Sequence, residues 1–130
     1  MSKKSWVQKR NLALLYLLYG CGLRISEALS ITKKHLVDKS TLTVMGKGKK
    51  ERLIPVLGVV SQSITNYLEE LPHDISNEDM IFVGDRGSPL KASAFQRDLK
   101  QARINLGLPQ TTTPHALRHS FATHLLKNGG

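Results

Sequence analysis

The sequence predicts one mainly α-helical domain with a small antiparallel β-hairpin, an α+β fold. Apolar residues recur at helical spacing in most segments of the chain. One segment, "TLTVMGKGKKERLIPV", instead places two β-rich arms around a Gly/Lys turn, which is typical of a hairpin. A chain of 130 residues is long enough for one domain that buries roughly two-thirds of its unfolded surface. We therefore expect a single domain over residues 1–130.

The first half of the chain is predicted to hold two helices and the hairpin. A leucine-rich, largely buried helix covers residues 6–20 and ends at "GCG". A short second helix follows over "RISEALSI", and the chain reverses through the polar "TKKHLVDKS". The arms of the hairpin are predicted at Thr41–Met45 and Arg52–Val56.

The second half is predicted to be helical apart from one turn. Residues 59–71 form a helix, and "IFVGDRGSPL" supplies a short strand and a Gly/Pro turn. Ser93 is predicted to cap the next helix, which "GLP" ends. A last helix begins near Pro114 with Thr113 as its N-cap.

The positive charge of the protein is concentrated in its first half. The formal net charge is +9, and residues 1–60 hold 12 Lys/Arg against 3 Asp/Glu, whereas residues 61–130 hold 7 of each. A basic half joined to a neutral half favours a polyanionic partner, with nucleic acid the first candidate.

Several other classes of protein are excluded by composition. The longest apolar run, "LALLYLLYGCG", is shorter than the roughly 18 residues that a membrane-spanning helix needs. The single cysteine, Cys21, cannot form an intramolecular disulfide and is expected to be a small buried side chain. Because no signal-peptide pattern follows the basic N-terminus, we expect a cytoplasmic protein.

Four cationic side chains occupy positions suited to an anion. His115 and Arg118 are three residues apart and share a face at the start of the predicted last helix, where free N–H groups favour a phosphate. Arg24 stands at the start of another helix, where its guanidinium can bind a phosphate. Glu27, three residues on, can hold that guanidinium in place for the phosphate, or Arg24 can simply form a salt bridge with Glu27. Lys47, between glycines at the hairpin tip, can supply charge and a proton, or remain an ordinary solvated lysine.

Three segments together carry a family resemblance. "CGLRISEALSI", "GKGKKERLIPV" and "TPHALRHSFATHLL" resemble three consecutive signature blocks of the tyrosine recombinases, the phage-integrase and Xer-like group, in the same order and at compatible spacing. The resemblance covers nearly the whole chain. It implies a tyrosine recombinase catalytic-domain fold and site-specific cleavage and rejoining of DNA strands through a 3′-phosphotyrosyl intermediate.

The resemblance also implies a role for each candidate residue. Arg24 and Arg118 would clamp the nonbridging phosphate oxygens. Lys47 would protonate the leaving 5′-oxygen, and His115 would bond the phosphate and assist proton transfer. Glu27 would support Arg24. Fixed cations of this kind stabilise a five-coordinate phosphate without a metal.

The implied partner is double-stranded DNA, with the full-length enzyme a tetramer on DNA. Lys49 and Lys50 are expected to contact phosphates. The bond energy conserved as a phosphotyrosine removes the need for ATP, so we expect no cofactor, no metal and no small-molecule substrate. No membrane contact is expected.

The sequence departs from the family pattern at the nucleophile. The pattern continues to another histidine or tryptophan and then to the tyrosine, and none of Tyr16, Tyr19 and Tyr67 matches that position. We expect the separate N-terminal domain of the family to be absent as well. We therefore expect a partial catalytic domain that cannot cleave DNA alone. Two alternatives stay open, a non-catalytic DNA-binding module or regulator with the recombinase fold, and a metal-free nuclease.

The remaining histidines favour structural roles. His119 and His124 are expected to pack or to be solvated, and an i, i+4 zinc pair of His115 and His119 lacks accompanying Cys or acidic ligands. His35 and His73 lie in polar connections that indicate no function.

Overall fold

A computed structural model describes residues 5–36, 38, 40–46 and 50–105, with side chains up to residue 101. Its regular elements are four α-helices and two strands: α1 Ser5–Leu15, α2 Ile25–Leu29, β1 Thr41–Met45, β2 Glu51–Pro55, α3 Gly58–Glu70 and α4 Ala92–Asn105. The two strands form an antiparallel sheet, so the predicted mainly α fold with a small hairpin is confirmed. None of the described helices is long and apolar enough to cross a membrane.

The predicted first helix is present but changes its hydrogen bonding midway. After α1 the chain continues as a π-helix over Tyr16–Gly20. Gly22, at φ +72°, then turns the chain so that the Leu23 N–H bonds the Leu17 carbonyl at 3.2 Å. Leu23 is buried, which fixes the point where the next residue, Arg24, emerges.

The hairpin packs one face on the core. Leu42 and Val44 of β1 are buried, and the register places them opposite Ile54 and Arg52 of β2. Cross-strand partners share a face of the sheet, so Arg52 lies on the inward side. The second strand begins at Glu51, one residue before the prediction.

An aromatic cluster joins α1, α3 and the segment after α3. Tyr67 stacks on Phe82 with the ring centroids 5.5 Å apart, and Trp6 lies 6.5 Å from Tyr67. The Tyr67 hydroxyl donates to the Ile81 carbonyl at 2.6 Å and accepts the Val83 N–H at 3.3 Å. These contacts place Tyr67 firmly in the core.

A buried ion pair ties α1 to α4. Arg10 is 3% exposed, and its guanidinium donates to Asp98 at 2.7 Å and to the Val83 carbonyl at 3.0 Å. It also lies 5.9 Å from the centroid of the Trp6 ring. This pair could not be predicted from local sequence patterns, since Arg10 and Asp98 are 88 residues apart.

Two local predictions for the second half were wrong. α4 begins at Ala92 and its first helical bond joins the Phe95 N–H to the Lys91 carbonyl, so Ser93 lies in the first turn and does not cap the helix.

The "IFVGDRGSPL" segment forms a tight reversal with an isolated bridge between Val83 and Pro89 in place of a strand. Proline has no N–H for a ladder, which stops the pairing there.

Candidate functional site

The start of α2 presents Arg24 to solvent. Arg24 is the N-cap residue, with extended backbone angles of φ −78° and ψ 155°, and its side chain is exposed. Its backbone N–H donates to Oε1 of Glu27 at 2.8 Å. A glutamate at the third helical position often reaches back in this way, because the first N–H groups of a helix lack intrahelical partners.

The Glu27 carboxylate joins α2 to the hairpin. Its second oxygen, Oε2, accepts a hydrogen bond from Nη1 of Arg52 at 3.0 Å. The backbone N–H of Arg24 and then the Arg52 guanidinium lower the pKa of Glu27, since both bonds favour the ionised carboxylate. The Glu27 carboxylate therefore bonds the backbone N–H of Arg24, whereas its ion pair is with the side chain of Arg52.

A shallow concavity lies between α2 and the end of β1. Its lining residues are Arg24, Ser26, Glu27, Ser30, Met45 and Gly46. Gly46 directly precedes Lys47, and its N–H bonds the Lys50 carbonyl at 2.8 Å to close the base of the hairpin turn. The first predicted arginine and the base of the turn that carries the predicted lysine thus share one concave surface.

The other predicted site residues lie outside the described part of the chain. These are Lys47, Lys49, His115 and Arg118, together with the last predicted helix and its cap at Thr113. Lys50 is described and exposed, next to Glu51 of β2. The assignment of all these residues stays a prediction.

Arg52 is the residue of this site that the sequence analysis missed. The prediction placed it at the start of a strand and assigned it no role. The sequence offered only a partial signal, because alternation along the predicted arm puts Arg52 on the same face as Ile54, where an apolar side chain is usual. Its pairing with Glu27 follows only from the folded register.

The tyrosines of the described region do not resemble exposed nucleophiles. Burial raises the pKa of Tyr67 to about 12, and its hydroxyl is occupied by two backbone groups. Tyr16 is also buried, with its pKa raised by burial, and Tyr19 is half-buried against the core. None of these three tyrosines lines the concavity beside Arg24.

His35 and Cys21 have structural positions. His35 is buried, and its Nδ1 accepts the Thr32 N–H at 3.0 Å across a single 3-10 turn. Cys21 is half-buried against the core, where burial raises the pKa of its thiol. Across the described residues, no three His, Cys, Asp or Glu side chains form a group that could hold a metal ion.

The family is defined by comparison with known proteins. The sequence model of the phage integrase family matches residues 1–130. The chain therefore belongs to the phage integrase family.

Relatives within that family are named as tyrosine recombinases. The chain is 49% identical to tyrosine recombinase XerC of Brucella melitensis, over its whole length and 42% of the relative. It is 51% identical to tyrosine recombinase XerC of Rickettsia peacockii, over 95% of this chain and 41% of the relative. It thus spans about two-fifths of the length of these relatives.

Solved structures share the fold. The XerA recombinase matches with a TM-score of 0.71 and 29% identity, over 95% of this chain and 45% of its own. The XerH site-specific recombinase in its pre-cleavage complex with the difH substrate matches with a TM-score of 0.68 and 26% identity, over 98% of this chain and 38% of its own. The predicted resemblance to tyrosine recombinases is confirmed.

Proposed function

We propose that this chain forms part of the catalytic domain of a site-specific tyrosine recombinase, which cleaves and rejoins DNA strands through a 3′-phosphotyrosyl intermediate. Family membership and the tyrosine recombinases at about half identity support the proposal. One observation of the structure carries it, namely the concavity where Arg24, braced by Glu27, faces the base of the hairpin turn at Gly46.

The chemistry of phosphoryl transfer suits this arrangement. As a nucleophilic oxygen attacks the scissile phosphorus, negative charge grows on the nonbridging oxygens and the bond to the 5′-oxygen breaks. A guanidinium can donate two hydrogen bonds to such oxygens. The Arg24 side chain is exposed, so a phosphate can reach it. In the proposal Arg118 is the second arginine, and His115 bonds the phosphate and assists transfer of the proton that the attacking tyrosine hydroxyl loses. Lys47, next to Gly46, gives a proton to the leaving 5′-oxygen.

The proposed partner is duplex DNA, held by a tetramer of the full-length enzyme in the cytoplasm. XerH was solved with its difH substrate, which supports DNA as the ligand of this fold. Lys49 and Lys50 would contact phosphates beside the turn. Binding should be weak, because few residues of this chain are evident base readers. Because phosphate contacts release counterions, binding should also fall steeply as salt rises, and each lost phosphate contact should lower the logarithmic salt slope by about one.

A chimera tests the proposal. Residues 1–130 would replace the matching part of the Brucella melitensis relative, and the chimera would be incubated with a nicked duplex carrying that relative's recombination site. We expect a covalent protein–DNA adduct on a denaturing gel. Arg24→Ala should reduce adduct formation by about 100-fold or more, because it removes a cation aimed at the developing charge.

Arg86→Ala is the matched control, since Arg86 is also exposed but lies in the turn after Val83. It should leave the adduct at the parental level. A folded chimera that binds the duplex but forms no adduct would contradict catalysis and favour the non-catalytic DNA-binding module.

A further inference from the structure

Arg52 stands on the side of the hairpin that faces α2. The register pairs it with Val44, whose side chain is buried, whereas the neighbouring pair of Thr43 and Leu53 faces outward with Leu53 66% exposed. Alternation along a strand therefore directs Arg52 toward the body of the protein. The side chain is nevertheless 49% exposed. It lies next to the last strand pair, Met45 with Glu51, at the turn end of the sheet.

The Arg52 guanidinium contacts both sides of the concavity. Its Nη1 donates to Oε2 of Glu27 at 3.0 Å, while Oε1 of the same carboxylate accepts the Arg24 N–H at 2.8 Å. The same Nη1 lies against Gly46, where an added Cβ would approach it to 3.3 Å. One guanidinium thus contacts the helix start that carries Arg24 and the residue that precedes Lys47.

This contact matters more for geometry than for stability. An ion pair with a half-exposed arginine contributes little to folding, since water screens it. The carboxylate between the two arginines has few other ways to turn, because each of its oxygens is already bonded. The position of the Arg24 backbone therefore depends on where β2 holds Glu27.

We propose that Arg52 is a positioning residue, whose guanidinium holds Glu27 from the hairpin and so fixes Arg24 relative to the turn that bears Lys47. The inference rests on the proposed function, because it concerns how that site is assembled. Arg52 itself need not touch the DNA. Arg52 acts on Arg24 only through Glu27. A lysine at position 52 keeps the positive charge but lacks the planar guanidinium, so it should hold Glu27 only in part.

The test compares three variants of the 130-residue chain by NMR, with inorganic phosphate as the probe. In the wild type, phosphate should shift the Arg24 side-chain Nε–Hε resonance. Arg52→Gln should weaken that response by about threefold or more and displace the Arg24 backbone amide resonance, with Arg52→Lys intermediate. Arg86→Gln removes the same charge from an exposed turn and should behave as wild type.

Two further measurements separate the possible results. The carbon-13 shift of the Glu27 carboxyl should show a higher pKa in Arg52→Gln than in Arg86→Gln, and unchanged urea midpoints should show that both variants fold. If Arg52→Gln and Arg86→Gln respond to phosphate equally, the positioning role is wrong while the proposed function stands. If phosphate at low salt does not shift the wild-type Arg24 side-chain resonance, the proposed function and the inference built on it are both wrong.

Discussion

Tyr67 shows how burial decides what a reactive residue type does. Its ring is fully buried and stacked on Phe82, and its hydroxyl links the backbone of Ile81 and Val83. The loss of hydration raises its pKa to about 12. Because the hydroxyl is buried and already bonded to two backbone groups, it is not accessible to a DNA phosphate. A tyrosine in this setting stabilises the core.

Tyr67→Phe should cost about 1–2 kcal/mol of unfolding free energy, because it leaves a buried carbonyl and a buried N–H without their partner. Urea denaturation measures the loss. At about pH 10 the variant and the wild type should show the same tyrosinate absorbance, since Tyr67 is not ionised there. A smaller absorbance in the variant would contradict the buried, protonated Tyr67.

Glu27 makes stability depend on pH at the start of α2. Its pKa is lowered in the folded state, chiefly by the Arg24 N–H and next by the Arg52 guanidinium. A lowered folded-state pKa stabilises the protein above the unfolded-state value of about 4.5, and the contribution is lost as the pH falls through the folded-state value. The wild type should therefore be more stable than Glu27→Gln at pH 7.

That difference should shrink as the pH falls below about 4.5, because protonated glutamate resembles glutamine. Urea denaturation at a series of pH values between 7 and 3 gives the measurement. A difference that is constant over this range would show that the ionised carboxylate is not what Glu27 contributes.

At the scale of elements, the sequence predicted the type of each α-helix and strand that the structure describes, but not the cap of α4 or the long-range pairs between elements. The hairpin, α2 and α3 lie within one residue of their predicted bounds at most ends, because alternation and helical spacing report directly on which face is buried. The Ser93 cap failed because Lys91 takes the N-cap position by a backbone bond that any residue can make. Long-range pairs such as Arg10 with Asp98 leave no local pattern to read.

Two glycines should respond in opposite ways to the same change. Gly87 has φ +87° in the reversal after Val83, and an added Cβ would lie 2.9 Å from Cδ2 of His73. Gly87→Ala should therefore cost about 2 kcal/mol or more, from the left-handed backbone and the clash together. Gly58, the first residue of α3, has no neighbouring atom within 4 Å of its added Cβ.

Gly58→Ala should be neutral or stabilising by about 0.5 kcal/mol, because alanine restricts the unfolded chain without meeting a neighbour. Thermal or urea denaturation of both variants tests the pair. Equal effects of the two substitutions would contradict the described reversal around Gly87.

At the scale of the whole molecule, the sequence assigned roles to the residues of the site, which stay predictions, but it did not predict the contacts that join the elements carrying them. The family blocks assigned roles to Arg24, Glu27 and Lys47, and the structure places the first two beside the base of the turn that carries the third. The hairpin arm that braces them through Arg52 was not predicted, because a contact between a strand and a helix 25 residues away depends on the folded register. The helix start and the hairpin are therefore joined at this site by the ion pair of Glu27 with Arg52.

This assembly predicts the behaviour of the 130-residue chain with DNA. Cations that stabilise a five-coordinate phosphate do not cleave it unless an attacking oxygen is aligned with the phosphorus. Tyr16 and Tyr67 are buried, and Tyr19 packs against the core, so a DNA strand at the concavity beside Arg24 would meet none of their hydroxyl groups. The chain alone should bind duplex at low salt and form no covalent adduct.

The measurement is a denaturing gel of the chain after incubation with the same nicked duplex that the chimera cleaves. The chimera serves as the positive control for the substrate, and a triple variant with phenylalanine at Tyr16, Tyr19 and Tyr67 serves as the matched control for the chain. An adduct formed by the chain and lost in the triple variant would mean that one of these tyrosines leaves its packed position and attacks the phosphate. The assignment of Arg24 and Lys47 to a site that none of these three tyrosines serves would then be wrong.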